Sequence, residues 1–381
     1  MQITDRCDVL VVVTEFGGGG TERYAEDVAV GLNRSGIGVA VTVDNGGLER
    51  VRDLTAAGIP IFNLAISEKK AHSEYRRALE AVIRQLSPRI IHANTWRYHE
   101  DTARSAATCG VPLLFTSHTT PVAPRLREWL GIGRPPFGLY RERALLRKSS
   151  AICVSKLGLR NFRMRNGARV RATAVYCGVA IPEPASRIDH PTDAPRVIWV
   201  GSLTDRKRPL MAIKAFLRVL PRFPRARLVI VGDGPLSDAV RSAAERSSAG
   251  AIEIAGFRRS VMEMMDESDI YIQTSVAEGI AYTVMEAMAA GLPVIATDAG
   301  ATREAVQHGE TGLVCRRDDV EGLARSLDML MGSADLRLQY GRKGRERARA
   351  LFSVDRMISE TLAAYGQLCG VHLGVSRMKP K

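Results

Sequence analysis

The chain has 381 residues, 45% of them hydrophobic and 25% charged, which sets aside disordered and fibrous classes and suits two α/β domains at roughly 150 residues each. Its six cysteines form no CxxC pair, so neither a disulfide framework nor a structural zinc site is indicated, and a reducing compartment is expected. The net charge of +13 is uneven: residues 1–181 hold 26 lysines and arginines against 16 acids, residues 182–353 hold 24 against 23, and residues 125–171 hold 13 against Glu128 and Glu142 alone.

The first apolar run, Val9–Val13, is short and preceded by acids, so it is expected to open a sheet rather than to act as a signal peptide. No run approaches the roughly 18 apolar residues of a membrane span, and a cytoplasmic or peripheral protein is expected. Further β-branched runs follow at Val39–Val43, Ile59–Phe62, Ile90–His92, Leu113–Thr116 and Ala151–Val154, with helical patterns between them. This is the βαβ rhythm of a parallel sheet. After the proline-rich stretch Ile181–Pro195 the rhythm restarts at Val197–Val200, Leu228–Val231, Ile252–Ala255, Ile270–Gln273, Val294–Ala296 and Gly312–Val314. Two doubly wound domains joined by that stretch are predicted.

Open parallel sheets bind ligands at the carboxyl ends of their strands, so chemistry is sought in the loops that follow each strand. The first strand runs into Gly17–Gly20, Thr21 and Glu22 and then a helix, which presents backbone N–H groups to a phosphate. A nicotinamide dinucleotide site is the rival: Gly17 and Gly19 fit its fingerprint and Asp44 ends the next strand, but Glu22 stands where the third glycine belongs. A plain flexible loop is the third reading. Behind the fifth run stands His118, which at a strand end is either structural or functional.

The basic segment 125–171 includes PPFGLYRERALLRK, Pro135–Lys148, which sets Phe137, Tyr140, Ala144 and Leu145 near one helical face with Arg141, Arg143, Arg147 and Lys148 around it. Arg160, Arg163, Arg165, Arg169 and Arg171 follow, with Phe162 and Met164 between them. Such a segment suits an anionic membrane surface, or is a solvated basic face. It lacks any nucleic-acid-binding module, and no nucleic-acid partner is expected.

In the second half, GSLTDRKRP places Arg206, Lys207 and Arg208 just before a helix starting near Pro209, where cations could clamp a diphosphate or simply be solvated. The stretch Ser275–Gly291 carries Glu278 and, eight residues on, Glu286. From about Thr283 it is helical and apolar all round, with Gly291 and Pro293 as the stop. A buried Glu286 needs a hydrogen-bonding partner, either a ribose diol or an internal arginine.

Six ordered blocks carry a family resemblance: GGTER at 19–23, SHT at 117–119, VSK at 154–156, VGSLTDRK at 200–207, VGDGP at 231–235 and EGIAYTVMEAMAAGLPVIATDAG at 278–300. Together, and above all in the E-x7-E spacing of the last, they resemble the retaining glycosyltransferases of family 4 with the GT-B fold, over nearly the whole chain. The resemblance implies an α/β GT-B fold, two Rossmann-like doubly wound parallel-sheet domains facing a central cleft. Residues 1–181 plus 354–381 would be the acceptor-side domain, with the helix near Phe352–Leu368 crossing back to it. Residues 182–353 would bind the nucleotide-sugar donor.

The implied reaction moves a hexose or N-acetylhexosamine, from a UDP-sugar in preference to a GDP-sugar, to a lipid-linked or polysaccharide-precursor acceptor. A small soluble acceptor is the alternative; a sugar-nucleotide epimerase and a nicotinamide-dependent oxidoreductase are the alternative classes. By resemblance His118, Glu278 and Lys207 are the catalytic residues. Glu286 would hold the ribose, Lys207 with Arg206 the diphosphate, and Gly19 and Gly20 the phosphate side from the first domain. Glu278 and His118 would meet hydroxyls of the transferred sugar, and backbone near Gly256 and Phe257 the base. Gly279, Ile280, Ala281, Tyr282 and Thr283 would complete the donor site. No Asp-x-Asp motif and no metal-ligand spacing of histidines occurs, so no metal and no cofactor is expected. Three positions depart from the family pattern: Ser202 where arginine is frequent, Ala281 where glycine is usual, and Cys177 where asparagine is common.

Overall fold

The computed structural model describes residues 7–13, 19–44, 52–66, 71–94, 98–118, 149–167, 169–182, 194–247 and 250–374. Gly17, Gly18, Thr119, the stretch Pro135–Lys148 and most of the proline-rich stretch lie outside them. The chain divides into two units, Met1–Gly178 with Val354–Lys381, and Val179–Ser353.

Among the described residues the first unit is built on seven parallel strands: β1 Val9–Val12, β2 Val39–Val43, β3 Ile61–Asn63, β4 Ile90–Ala93, β5 Leu113–Ser117, β6 Ser150–Cys153 and β7 Arg171–Ala174, in the order β3-β2-β1-β4-β5-β6-β7. The central strands are buried on both faces, as an all-parallel sheet covered by helices requires. The sheet order reverses at β1, whose Val9 stands in register with Val39 on one side and Ile90 on the other. The unit's first helix, α1 (Gly20–Arg34), packs against a helix from the far end of the chain, Val354–Cys369. Gly31 makes the approach possible, since a Cβ there would lie 2.5 Å from Ile358 Cγ1.

The second unit carries six parallel strands: β8 Arg196–Val200, β9 Arg227–Val231, β10 Ile252–Gly256, β11 Ile270–Gln273, β12 Val294–Thr297 and β13 Gly312–Cys315, in the order β10-β9-β8-β11-β12-β13. Trp199, Phe216, Leu228, Ile272, Leu323 and Leu327 fill its core. Here the order reverses between β8 and β11, and the loops leaving the carboxyl ends of those two strands face one another across the switch point.

Each predicted strand is present, with ends shifted by a residue or two. The thirteenth, β7, is a correction to the sequence reading. Its Arg-Ala-Thr-Ala holds a single β-branched residue, Thr173, and no apolar run, because β7 lies at the sheet edge and only Ala172 is buried. The apolar helix carrying Glu286 runs Tyr282–Ala289 and stops at Gly291, whose φ of +83° closes it. Gly291 N–H bonds Met288 O and Leu292 N–H bonds Ala287 O, satisfying the last carbonyls. All six cysteines are free thiols. Among the described residues no helix is long and apolar enough to cross a membrane.

Candidate active site

In the second unit the stretches VGSLTDRK, VGDGP and the turn carrying Glu278 meet at the β8/β11 switch point. Gly232 (φ +141°) lets the VGDGP loop lie on the loop after β8, since a Cβ there would fall 1.9 Å from Gly201 O. Leu203 N–H then bonds Asp233 O at 2.9 Å. From the other side, the Thr274 hydroxyl stands 2.8 Å from Lys207 O and 2.7 Å from Arg208 O, and accepts from Trp199 Nε1 at 3.0 Å. Val276 N–H donates to Arg206 O at 2.8 Å. The backbone around Lys207 is therefore fixed to both strands of the switch.

On this frame Lys207 Nζ meets Glu278 Oε1 at 2.6 Å, and Arg206 Nη1 lies 3.3 Å from Glu278 Oε2 and 3.1 Å from Ala277 O. The Glu278 side chain is only 8% exposed. A carboxylate so buried needs compensating charge, and the two cations supply it with one positive charge to spare. Gly300 (φ +61°) packs on the same turn, where a Cβ would fall 1.9 Å from Glu278 O, and Ala301 N–H bonds Gly279 O at 3.1 Å. Arg208 does not join the cluster: its backbone is left-handed (φ +52°) and its guanidinium pairs with Asp318. The three-cation run of the sequence is thus split between two acids.

Helix Tyr282–Ala289 begins beside this cluster, with Ala281 as an N-cap that has no side-chain oxygen, so its first-turn N–H groups have no side-chain cap. Thr283 Oγ1 accepts from Tyr271 O–H at 2.7 Å. One turn on, Glu286 is 7% exposed. Burial raises the Tyr271 phenol above its ordinary pKa, and Glu278 and Glu286 both add to the shift, which places the two carboxylates within electrostatic reach of one hydroxyl. Gly279 and Tyr282 are part-buried, Ile280 and Ala281 buried. Gly256 (φ +68°) and Phe257 stand at the end of β10, two strands from β8, with the Phe257 ring 52% exposed. Ser202 is exposed on the loop after β8 and Cys177 is buried in the first unit.

In the first unit α1 starts at Gly20 with Gly19 as its N-cap, both exposed. The Glu22 carboxylate folds back over that cap, 2.6 Å from where a Gly19 side chain would begin. His118 follows β5. Its Nε2 is 2.5 Å from Asn94 Oδ1, and the Tyr24 ring meets it edge-on with centroids 4.9 Å apart. Burial pushes its pKa down to about 3, so the ring is neutral at physiological pH. Behind it His92, pushed down to about 3 chiefly by burial, bonds Tyr365 O–H at 2.7 Å and Thr116 Oγ1 at 2.6 Å. Asn94, Thr274 and Tyr24 were not legible as site residues, because each works through a partner distant in sequence.

Two family models match this chain: glycosyl transferase 4-like domain over residues 19–178 and glycosyl transferases group 1 over residues 194–333. The chain is 29% identical over 170 residues to the putative glycosyltransferase EpsD of Bacillus subtilis, covering 44% of each. It is 25% identical over 186 residues to the lipopolysaccharide core biosynthesis glycosyltransferase LpsE of Rhizobium meliloti, covering 49% of this chain and 54% of that one. The chain thus spans about half the length of these curated relatives. Among solved structures, Anabaena HepE in complex with UDP and glucose superposes with a TM-score of 0.77 at 19% identity, over 95% of this chain and all of that one. With one model on each unit, and two parallel Rossmann-like sheets beneath them, the chain belongs to the group 1 glycosyltransferases of GT-B fold, similar to family 4.

Proposed function

We propose that this glycosyltransferase moves a hexose or N-acetylhexosamine from a UDP-sugar, with retention of anomeric configuration and without a metal, to a lipid-linked or polysaccharide-precursor acceptor. The observation that carries the reading is the Lys207–Glu278–Arg206 cluster at the β8/β11 switch point, beside the start of helix Tyr282–Ala289. Lysine has three donors and arginine five, so both cations can hold Glu278 and a diphosphate together. As the bond from the anomeric carbon to the diphosphate breaks, negative charge grows on the departing oxygen. The cations and first-turn N–H groups stabilise it without rearrangement. The acceptor oxygen bonds to the anomeric carbon on the face that the diphosphate leaves, and its proton passes to the departing phosphate.

On this reading Glu286 accepts from the ribose hydroxyls, Glu278 and His118 bind hydroxyls of the sugar, and the backbone at Gly256 and Phe257 meets the base. Gly19 and Gly20 offer helix N–H groups to the phosphates, in competition with Glu22. UDP is favoured because HepE was solved with it, and a polysaccharide or lipid-linked acceptor because LpsE is named for lipopolysaccharide core biosynthesis. The enzyme would work in the cytoplasm, docked on the anionic inner face of the membrane by segment 125–171. Within the described part of that segment, helix Lys156–Asn166 exposes Lys156, Arg160 and Arg163 around a Met164 that is 39% exposed.

UDP release from a panel of UDP-sugars and acceptors tests the reading, with the anomeric coupling of the product read by proton NMR. The expected product keeps the donor's configuration, and its rate of formation is unchanged by excess EDTA. An inverted product, or activity lost to EDTA and restored by manganese, would overturn the mechanism.

A further inference from the structure

We infer that Asn94 is a positioning residue that fixes the tautomer of His118, leaving this ring able to take only a hydrogen-bond donor, a free hydroxyl of the transferred sugar. The hydroxyl half of the inference rests on the reading of His118 proposed above; the tautomer half rests on geometry alone.

Asn94 follows β4 at the first unit's own switch point and is 3% exposed. Its Nδ2 donates to the carbonyl oxygen of Thr21, in the first turn of α1, at 2.6 Å. A carbonyl oxygen only accepts, so the amide cannot be turned over, and Oδ1 is the atom that faces His118 Nε2 at 2.5 Å. An amide oxygen only accepts as well. The single proton of the neutral ring therefore sits on Nε2, and the lone pair on Nδ1. No hydrogen bond within the described residues engages Nδ1. The groups around the ring do not upset this state: Tyr24 from α1 is a phenol that burial keeps protonated, and His92 from β4 is neutral.

An imidazole held in this form accepts a hydrogen bond from a hydroxyl at Nδ1 and offers nothing to an ether or a fluorine. Asn94 also joins two sequence blocks that are far apart, the start of the glycine-loop helix and the histidine after β5. Moving α1 would then disturb His118 through a single amide.

Nitrogen-15 labelling of the histidines in the full chain tests the tautomer. A long-range proton–nitrogen correlation at neutral pH should show His118 protonated at Nε2 and bare at Nδ1. Asn94→Leu should populate the Nδ1–H form, and Asn94→Asp, which keeps an acceptor facing Nε2 but cannot donate to Thr21, should keep Nε2 protonated while making the ring easier to protonate at Nδ1. His92, bonded at both nitrogens, reports in the same spectrum that the fold is intact. By calorimetry Asn94→Leu should bind UDP within twofold of wild type but UDP-glucose roughly tenfold more weakly, the size of one lost hydrogen bond. A wild-type His118 protonated at Nδ1, or an unchanged tautomer in Asn94→Leu, would overturn the inference even if that variant alone failed to fold, since the wild-type spectrum is decisive. If His118→Ala binds UDP-glucose as wild type does, the sugar-hydroxyl reading falls while the nitrogen spectrum still judges the tautomer.

Discussion

Glu278 is held by charges that a substrate diphosphate would also seek, and its burial makes the two demands inseparable. Removing Lys207 takes away the closer and more buried of the two cations on the carboxylate and keeps the largely exposed Arg206. Lys207→Ala should therefore lower the stability of the second unit by about 2 kcal/mol, within the range for a charge left poorly paired, and cut turnover by roughly a hundredfold or more. Adding Glu278→Gln should return most of the stability and none of the turnover. Urea unfolding of the two variants checks this; equal stabilities would mean that the pair is not coupled. Arg208 shows what sequence could not disclose at this scale. It adjoins Lys207 in the chain, yet its partner is Asp318, a pairing that no local pattern announces.

At the scale of elements, helix Val354–Cys369 is tied to the first sheet through buried polar contacts as well as packing. Tyr365 bonds His92 on β4, which bonds Thr116 on β5, and Ser150 Oγ on β6 donates to Leu368 O at 2.9 Å. His92 is held near pKa 3 in the fold against about 6.5 when unfolded. Between those values the unfolded chain binds a proton that the folded chain refuses. The stability is intact above about pH 6.5 and is lost as pH falls, at about 1.4 kcal/mol per pH unit for each such histidine. His118 adds a second, and both belong to the first unit. On going from pH 7 to pH 5, proteolysis mapped by mass spectrometry should open the first unit before the second; the opposite order would show that these histidines are protonated in the fold.

The elements themselves were largely legible. Continuous β-branched runs can be little else than buried parallel strands, and Gly291 marks its helix end by chemistry available in the sequence alone. What escaped was β7, whose residues are ordinary because an edge strand has little to bury, and the Asn94 and Thr274 bridges. Those bridges depend on which loops the topology brings together.

For the whole molecule, the charge asymmetry gives the membrane reading a clean test. Residues 125–171 carry 13 lysines and arginines against two acids, and each cation near an anionic leaflet contributes about 1 kcal/mol. Sedimentation with liposomes should show binding that rises with phosphatidylglycerol content and falls with salt, whereas equal recovery in the supernatant with neutral and anionic vesicles would favour a soluble acceptor. The order of elements has a different consequence, in time. The helix that completes the first unit leaves the ribosome only after all of Val179–Ser353 has been synthesised, a delay on the order of ten seconds or more at about 5–20 residues per second. Throughout that interval the apolar surface around Gly31 and the Nδ1 atom of His92 lack the partners that helix supplies. The nascent first unit must wait open while the second folds, and a chaperone that shields this one face would meet a target defined by a single missing helix.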